Sequence, residues 1–190
     1  MPNLFIIAGC NGAGKTTASY EFLPEFFNIE RFINADEIAR EIAPESPELV
    51  AFAAGRNMLT QVRQLIGEGK DFAFETTLSS RSFASLCEDA KAAGYLIYLI
   101  FYWLESPAMA LDRVRSRVAH GGHHVPDDVV VRRYYGGLKN LLNLYRRIVD
   151  YWLVFDSSGK PPEIIVRGSR ETGDSISKPV KWIRLQNQVR

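Results

Sequence analysis

The residues Gly9-Cys10-Asn11-Gly12-Ala13-Gly14-Lys15-Thr16 fit the spacing G-x-x-x-x-G-K-[ST], a pattern whose chemistry is specific to phosphates. Glycines let the backbone turn tightly, so that successive N–H groups converge on phosphate oxygens. A helix opening at Lys15 adds its positive dipole end at the same spot. Lys15 would set a point charge on the β- and γ-phosphates from the mouth of the loop, and the Thr16 hydroxyl would ligate Mg²⁺. The expected phosphate cradle of ATP or GTP is therefore Gly9, Asn11, Gly12, Ala13, Gly14, Lys15, Thr16 and Thr17.

Two carboxylates stand where such a loop would need them. Asp36 closes the segment Phe32-Ile33-Asn34-Ala35-Asp36, and Glu75 closes the apolar run Phe72-Ala73-Phe74. In open parallel sheets ligands sit beyond the carboxyl ends of strands, so both acids should face one crevice. Asp36 there would take the proton of an attacking hydroxyl; its competing reading is the N-cap of the following helix. Glu75 would bind substrate hydroxyls or steady the shell of a Mg²⁺ ion, with Thr77 beside it donating to the substrate.

A third group is basic. Residues 112–147 hold 8 Lys and Arg against 3 Asp and Glu, whereas residues 1–111 hold 8 against 14. Arg113, Arg115 and Arg117 precede Gly121-Gly122-His123-His124-Val125-Pro126, and Arg132 and Arg133 follow it. Paired glycines and a proline between arginine-bearing helices read as a hinge or lid that closes over a transferred phosphoryl group. Five arginines cannot all reach one phosphate. His120, His123 and His124 lack the spacing of a helix-borne metal pair.

These groups need a frame, and the apolar pattern supplies one. Short runs over Leu4–Ala8, Arg31–Asn34, Phe72–Glu75, Tyr95–Leu104 and Tyr151–Phe155 read as strands, with a sixth over Glu163–Val166. Helical spacing covers Lys15–Phe22, Asp36–Ile42, Glu48–Gly67, Ser82–Ala93, Pro107–Ala119 and Asp127–Val149, the last as one helix or two. Strands alternating with helices indicate a mostly parallel sheet of five or six strands, covered on both faces. The expected architecture is thus a three-layer α/β/α P-loop NTPase fold, one domain over 1–190. A helical lid falls at about 113–134 and a tail at about 170–190, packed as a last helix or mobile.

Composition narrows the class. A chain of 190 residues, 46% of them apolar, supports a sizeable core without disulfides. The formal charge of +1 removes the whole-chain argument for nucleic-acid binding, though Arg132 to Arg147, with Tyr134, Tyr135 and Tyr145, leaves it open locally. The run Tyr95–Leu104 is about half the ~20 apolar residues of a bilayer span, and no signal peptide is visible at the N-terminus. A cytoplasmic protein is expected. There is no guanine-reading Asn-Lys-x-Asp and no transporter signature, which leaves a kinase-like arrangement.

The ordered set Gly-x-x-Gly-x-Gly-Lys-Thr-Thr, Asn34-Ala35-Asp36, Phe74-Glu75-Thr76-Thr77-Leu78 and Arg117-Val118 through Gly-Gly-His-x-Val-Pro to Arg132-Arg133-Tyr134 resembles the zeta-toxin-like P-loop kinases, over about Leu4 to Asn140. The resemblance implies transfer of a γ-phosphoryl group from ATP or GTP to a hydroxyl of UDP-N-acetylglucosamine. It implies Lys15 as the phosphate lysine, Asp36 as the general base, Glu75 and Thr77 as substrate contacts, and two lid arginines, best matched by Arg117 and Arg133. The chain departs from the family after the Glu-x-Thr segment. Ser79 and Ser80 stand where the large toxins have a basic residue, with Arg81 next as a substrate contact. An antitoxin protein is a possible partner by the same resemblance. The alternatives are a polynucleotide or nucleoside 5′-hydroxyl kinase, and a P-loop ATPase or switch with no acceptor.

Overall fold

In the computed structural model, residues 1–20, 29, 31–122 and 124–189 are described. Leu4 to Ala8 form the centre of strand β1 (Asn3–Gly9), and all five are buried. An apolar run buried on both faces can lie only inside a sheet covered on both sides. The loop after β1 delivers the chain to helix α1, described over 15–20; the last two residues of the expected helix Lys15–Phe22 lie outside the described residues. Strand β2 is short (Phe32–Ile33) and leads to α2 (Ala35–Ile42), a 3₁₀ turn (Pro47–Val50) and α3 (Ala51–Glu68). Then come β3 (Phe72–Thr76), α4 (Ser82–Ala92), β4 (Leu96–Trp103) and α5 (Pro107–Ala119). Helix α6 (Asp127–Asn140) runs through a π-helical turn (Leu141–Tyr145) into a last helical turn, α7 (Arg146–Ile148). Strands β5 (Tyr151–Asp156), β6 (Glu163–Ser169) and β7 (Gly173–Ile176) and helix α8 (Pro179–Asn187) complete the chain.

The strand order is β2-β3-β1-β4-β5-β6-β7, so among the described residues seven strands replace the five or six expected. The first five are parallel; β6 and β7 add antiparallel to them. Only six residues separate β5 from β6, too few for the crossover that a parallel pair requires, so the chain turns back. Strand β7 escaped the sequence reading because all four of its residues are exposed and none repeats an apolar alternation. The expected tail is therefore an edge strand and a helix. Helix α8 buries Trp182 and Leu185, and Trp103 and Trp152 are likewise buried in the core.

Strand β1 lies between β3 and β4, and the strand order reverses there. Chains leaving neighbouring strands at such a point diverge to opposite faces and open a crevice at the carboxyl ends. Helix α4 ends where Gly94, at φ +84°, turns the chain left-handed, and the Tyr95 amide returns to the Ala90 carbonyl. No helix among the described residues is long and apolar enough to cross a membrane.

Candidate active site

The loop from Gly9 to Lys15 closes over the end of β1. Gly9 has φ +144°, and a Cβ there would lie 2.3 Å from the Tyr102 carbonyl oxygen, so no larger residue fits between the loop and β4. Arg113 holds the far side. Its guanidinium donates to the Ser157 and Ser158 carbonyls at 2.8 and 3.0 Å and, at 3.4 Å, to the Gly12 carbonyl. That arginine is a brace between the loop and the end of β5. Burial pushes the Cys10 thiol up to about 11, against the opposing charges of Lys15 and Arg113, so it stays protonated at neutral pH.

Lys15 is not at an exposed mouth: it is 6% exposed, with Nζ donating to the Cys10 carbonyl at 3.1 Å. It lies 3.5 Å from Glu75 Oε1. The Thr16 hydroxyl donates to Glu75 Oε2 at 2.7 Å, and Asn34 Nδ2 donates to the same oxygen at 3.1 Å. Parallel pairing sets Glu75 opposite Ile7, which brings its carboxylate to the phosphate loop. Both of its oxygens are engaged on that side.

Asn34 also decides the place of Asp36. Its Oδ1 accepts the Asp36 amide at 2.8 Å, so Asn34, not Asp36, is the N-cap of α2. Asp36 sits in the first helical turn, exposed, and its carboxylate has no hydrogen bond or ion pair among the described residues. The signal was available in the sequence: Asn34 three residues before Glu37 has capping-box spacing. Glu37 accepts instead from the Tyr20 hydroxyl, and that hydrogen bond pushes the phenol up to about 12.

A cleft of about 450 Å³ opens from the loop and is lined by Lys15, Asp36, Glu75, Thr77 and Arg133 together. Helix α3 contributes Phe52 and Arg56 to its outer wall, with the guanidinium 5.7 Å from the ring centroid. Neither was expected, since both lie inside a helix that reads as ordinary amphipathic spacing. Ser79 also lines the cleft, paired with the Thr77 hydroxyl at 2.9 Å. Arg133 Nη1 donates to Asn11 Oδ1 at 3.3 Å. Burial holds its pKa below the usual arginine value; Arg132 adds to that, and the nearby Asp36 carboxylate opposes it.

The remaining basic residues do other things. Arg115 pairs with Asp127 at 2.5 Å, and Arg132 is exposed. Arg117 is exposed at the end of α5, where its carbonyl accepts the Gly122 amide, and it lies outside the cleft lining. Arg81 is exposed and also outside the lining, although its neighbours Ser80 and Ser82 belong to it. His123 lies outside the described residues, and no cluster of metal-ligating side chains occurs among the described ones. An oxygen-only donor pair, the Thr16 hydroxyl and the Glu75 carboxylate, does fit a hard cation such as Mg²⁺.

A family model described as zeta toxin matches residues 1–161. An uncharacterised protein of Haemophilus influenzae is 32% identical over 129 residues, 66% of this chain and 88% of its own length. Among solved structures, one from the PezAT chromosomal toxin–antitoxin system of Streptococcus pneumoniae superposes with a TM-score of 0.67 at 17% identity, covering 99% of this chain and 84% of that one. The AvrRxo1-ORF1:-ORF2 complex with ATP gives a TM-score of 0.75 at 15% identity, over 97% of this chain and 63% of that one. At such identities the two structures establish a shared fold.

Proposed function

Because the chain belongs to the zeta toxin family and is a P-loop phosphotransferase, we propose that it moves the γ-phosphoryl group of ATP or GTP to a hydroxyl of a small molecule held in the cleft beside Asp36. The observation that carries this reading is the Asp36 carboxylate: unpartnered among the described residues, it lines the same cleft as Lys15 and Arg133. UDP-N-acetylglucosamine is the first acceptor to assay.

In this reading the loop amides and Lys15 bind the phosphates, and the acceptor lies against Thr77 and Ser79. The acceptor oxygen forms a bond to the γ-phosphorus as the bond to the β,γ-bridging oxygen breaks, and its proton passes to Asp36. Arg133 stabilises the charge on the transferring group, and Arg117 joins it when the turn between α5 and α6 closes. Thr16, with Glu75 behind it, would hold Mg²⁺, which when bound neutralises charge on the phosphate oxygens. Arg81 serves an acceptor that extends past Ser80 and Ser82. By analogy with the toxin–antitoxin system from S. pneumoniae, a protein partner that restrains the enzyme belongs to the same proposal.

Incubation with γ-labelled ATP, Mg²⁺ and a panel of UDP-sugars, nucleosides and 5′-hydroxyl oligonucleotides tests it. Label on a UDP-sugar is the expected result. Label on oligonucleotides alone would favour a polynucleotide kinase, for which the exposed Arg132, Tyr135 and Lys139 on α6 speak, although Tyr134 and Tyr145, expected beside them, are buried in the core. Label released only to water would leave an ATPase.

A further inference from the structure

The turn that follows β3 is held in an unusual shape. Leu78, fully buried, has φ +59°, a left-handed conformation that a branched side chain seldom adopts. Its amide donates to Thr76 Oγ1 at 3.0 Å. The rest of the support comes from far along the chain. Asn140, buried, donates from Nδ2 to the Leu78 carbonyl at 2.8 Å, and the Tyr145 hydroxyl donates to the Ser80 carbonyl at 2.8 Å. Helix α6 approaches so closely that a Cβ on Gly137 would stand 2.6 Å from the Thr77 carbonyl oxygen, and one on Gly136 3.3 Å from Ser79 Cβ. The π-helical turn from Leu141 to Tyr145 continues the helix beyond this contact.

Arg133, Gly137 and Asn140 recur at i, i+4 and i+7, which is one face of a helix. The same face therefore meets the Thr77–Ser80 turn at one end and the Asn11 side chain, through Arg133, at the other. We propose that Gly137 and Asn140 are positioning residues for phosphoryl transfer: they seat α6 on the acceptor turn and thereby fix Arg133 over the phosphate loop. The two halves of the site, acceptor and phosphoryl, are then spaced by one rigid helix. This rests on the phosphotransfer reading of the cleft.

A double-mutant cycle tests it with the full chain, reading single-turnover hydrolysis of Mg-ATP, in which water is the acceptor and no other need be known. Displacing Arg133 by about 1 Å should cost on the order of 10²-fold, so Gly137→Ala and Asn140→Leu should each lose about that much. Arg133→Ala should lose at least as much. If the two residues act through Arg133, Gly137→Ala combined with Arg133→Ala should be no slower than Arg133→Ala alone, within about 3-fold. Multiplying losses, or wild-type turnover in either folded single variant, would overturn the tie. Should Gly137→Ala fail to melt cooperatively, Gly136→Ala, whose contact is milder, runs the same cycle with a smaller loss. If the wild type does not transfer to water, the same cycle reads transfer to the acceptor labelled in the panel. Unchanged turnover in Arg133→Ala would overturn the tie alone, whereas a wild type that labels neither water nor any acceptor would remove the phosphotransfer reading itself.

Discussion

Asp36 is the residue on which the proposed transfer turns, and the capping role of Asn34 makes its test cleaner. Asp36→Asn leaves the cap untouched and removes only a first-turn acid, worth about 0.3–1 kcal/mol against the helix dipole. Melting should therefore move little. If the carboxylate acts on the acceptor, as proposed, nucleotide affinity should hold while transfer falls by about 10²–10⁴-fold. Near-normal transfer by the folded variant would pass the role of base to Glu75. Asn34→Ala should behave otherwise. It loses a cap worth about 1 kcal/mol and a hydrogen bond to Glu75, so melting temperature and Mg-ATP affinity should fall together, as thermal denaturation and titration calorimetry would record.

At the scale of elements, the proposed closure over the phosphates belongs to the turn between α5 and α6. Arg117 stands exposed at its edge and outside the cleft, while Arg133, on the far side of the turn, already reaches Asn11. If closure brings Arg117 to the phosphates, amides of residues 121–126 should gain protection from hydrogen exchange when a non-hydrolysable ATP analogue binds. Equal exchange in both states would mean that α5 and α6 form a fixed wall. Arg113 should restrain the motion at its base, since its three carbonyl contacts tie α5 to Gly12 and to the end of β5.

Across the whole molecule, the antiparallel extension is fastened by charge. Lys181 of α8 donates to Asp156 at 2.6 Å and to Glu163 at 3.0 Å. Burial works against the ionised Asp156, but hydrogen bonds from Lys181 and Ser158 outweigh it and hold the carboxyl below its ordinary value. A folded pKa below the unfolded one contributes stability above the unfolded value, about 3.9, and loses it as pH falls through the folded one. Asp156→Asn should thus be less stable than wild type at pH 7. In denaturant melts the difference should shrink steadily below about pH 4. A second fastening is Arg146, whose guanidinium lies 4.9 Å from the Trp152 ring and 5.2 Å from the Trp182 ring and pairs with Asp174 at 2.5 Å. Two cation–π contacts and a charge-assisted hydrogen bond together make Arg146→Ala destabilising by about 2–4 kcal/mol, measurable by urea denaturation.

What the sequence by itself determined is local. The phosphate loop, the strand before it and the helix after it are contiguous, so spacing and periodicity carry them, and continuous apolar strands are enough to require a parallel sheet covered on both faces. The same rule led to Glu75, near the end of β3, and to Asp36, which lies beyond β2 in the first turn of α2. Tertiary structure decided the pairings. Thr16 finds Glu75 across 59 residues, and Arg133 finds Asn11 across 122. Nothing in the local pattern distinguishes Arg133, drawn into the cleft, from Arg117, left outside it, because the difference lies in which face of each helix meets the loop. The antiparallel edge was equally hidden: β7 has one apolar residue, Ile176, and is exposed throughout, and only pairing with β6 makes it a strand. Periodicity records which side of an element is buried; what it is buried against depends on the path of the whole chain.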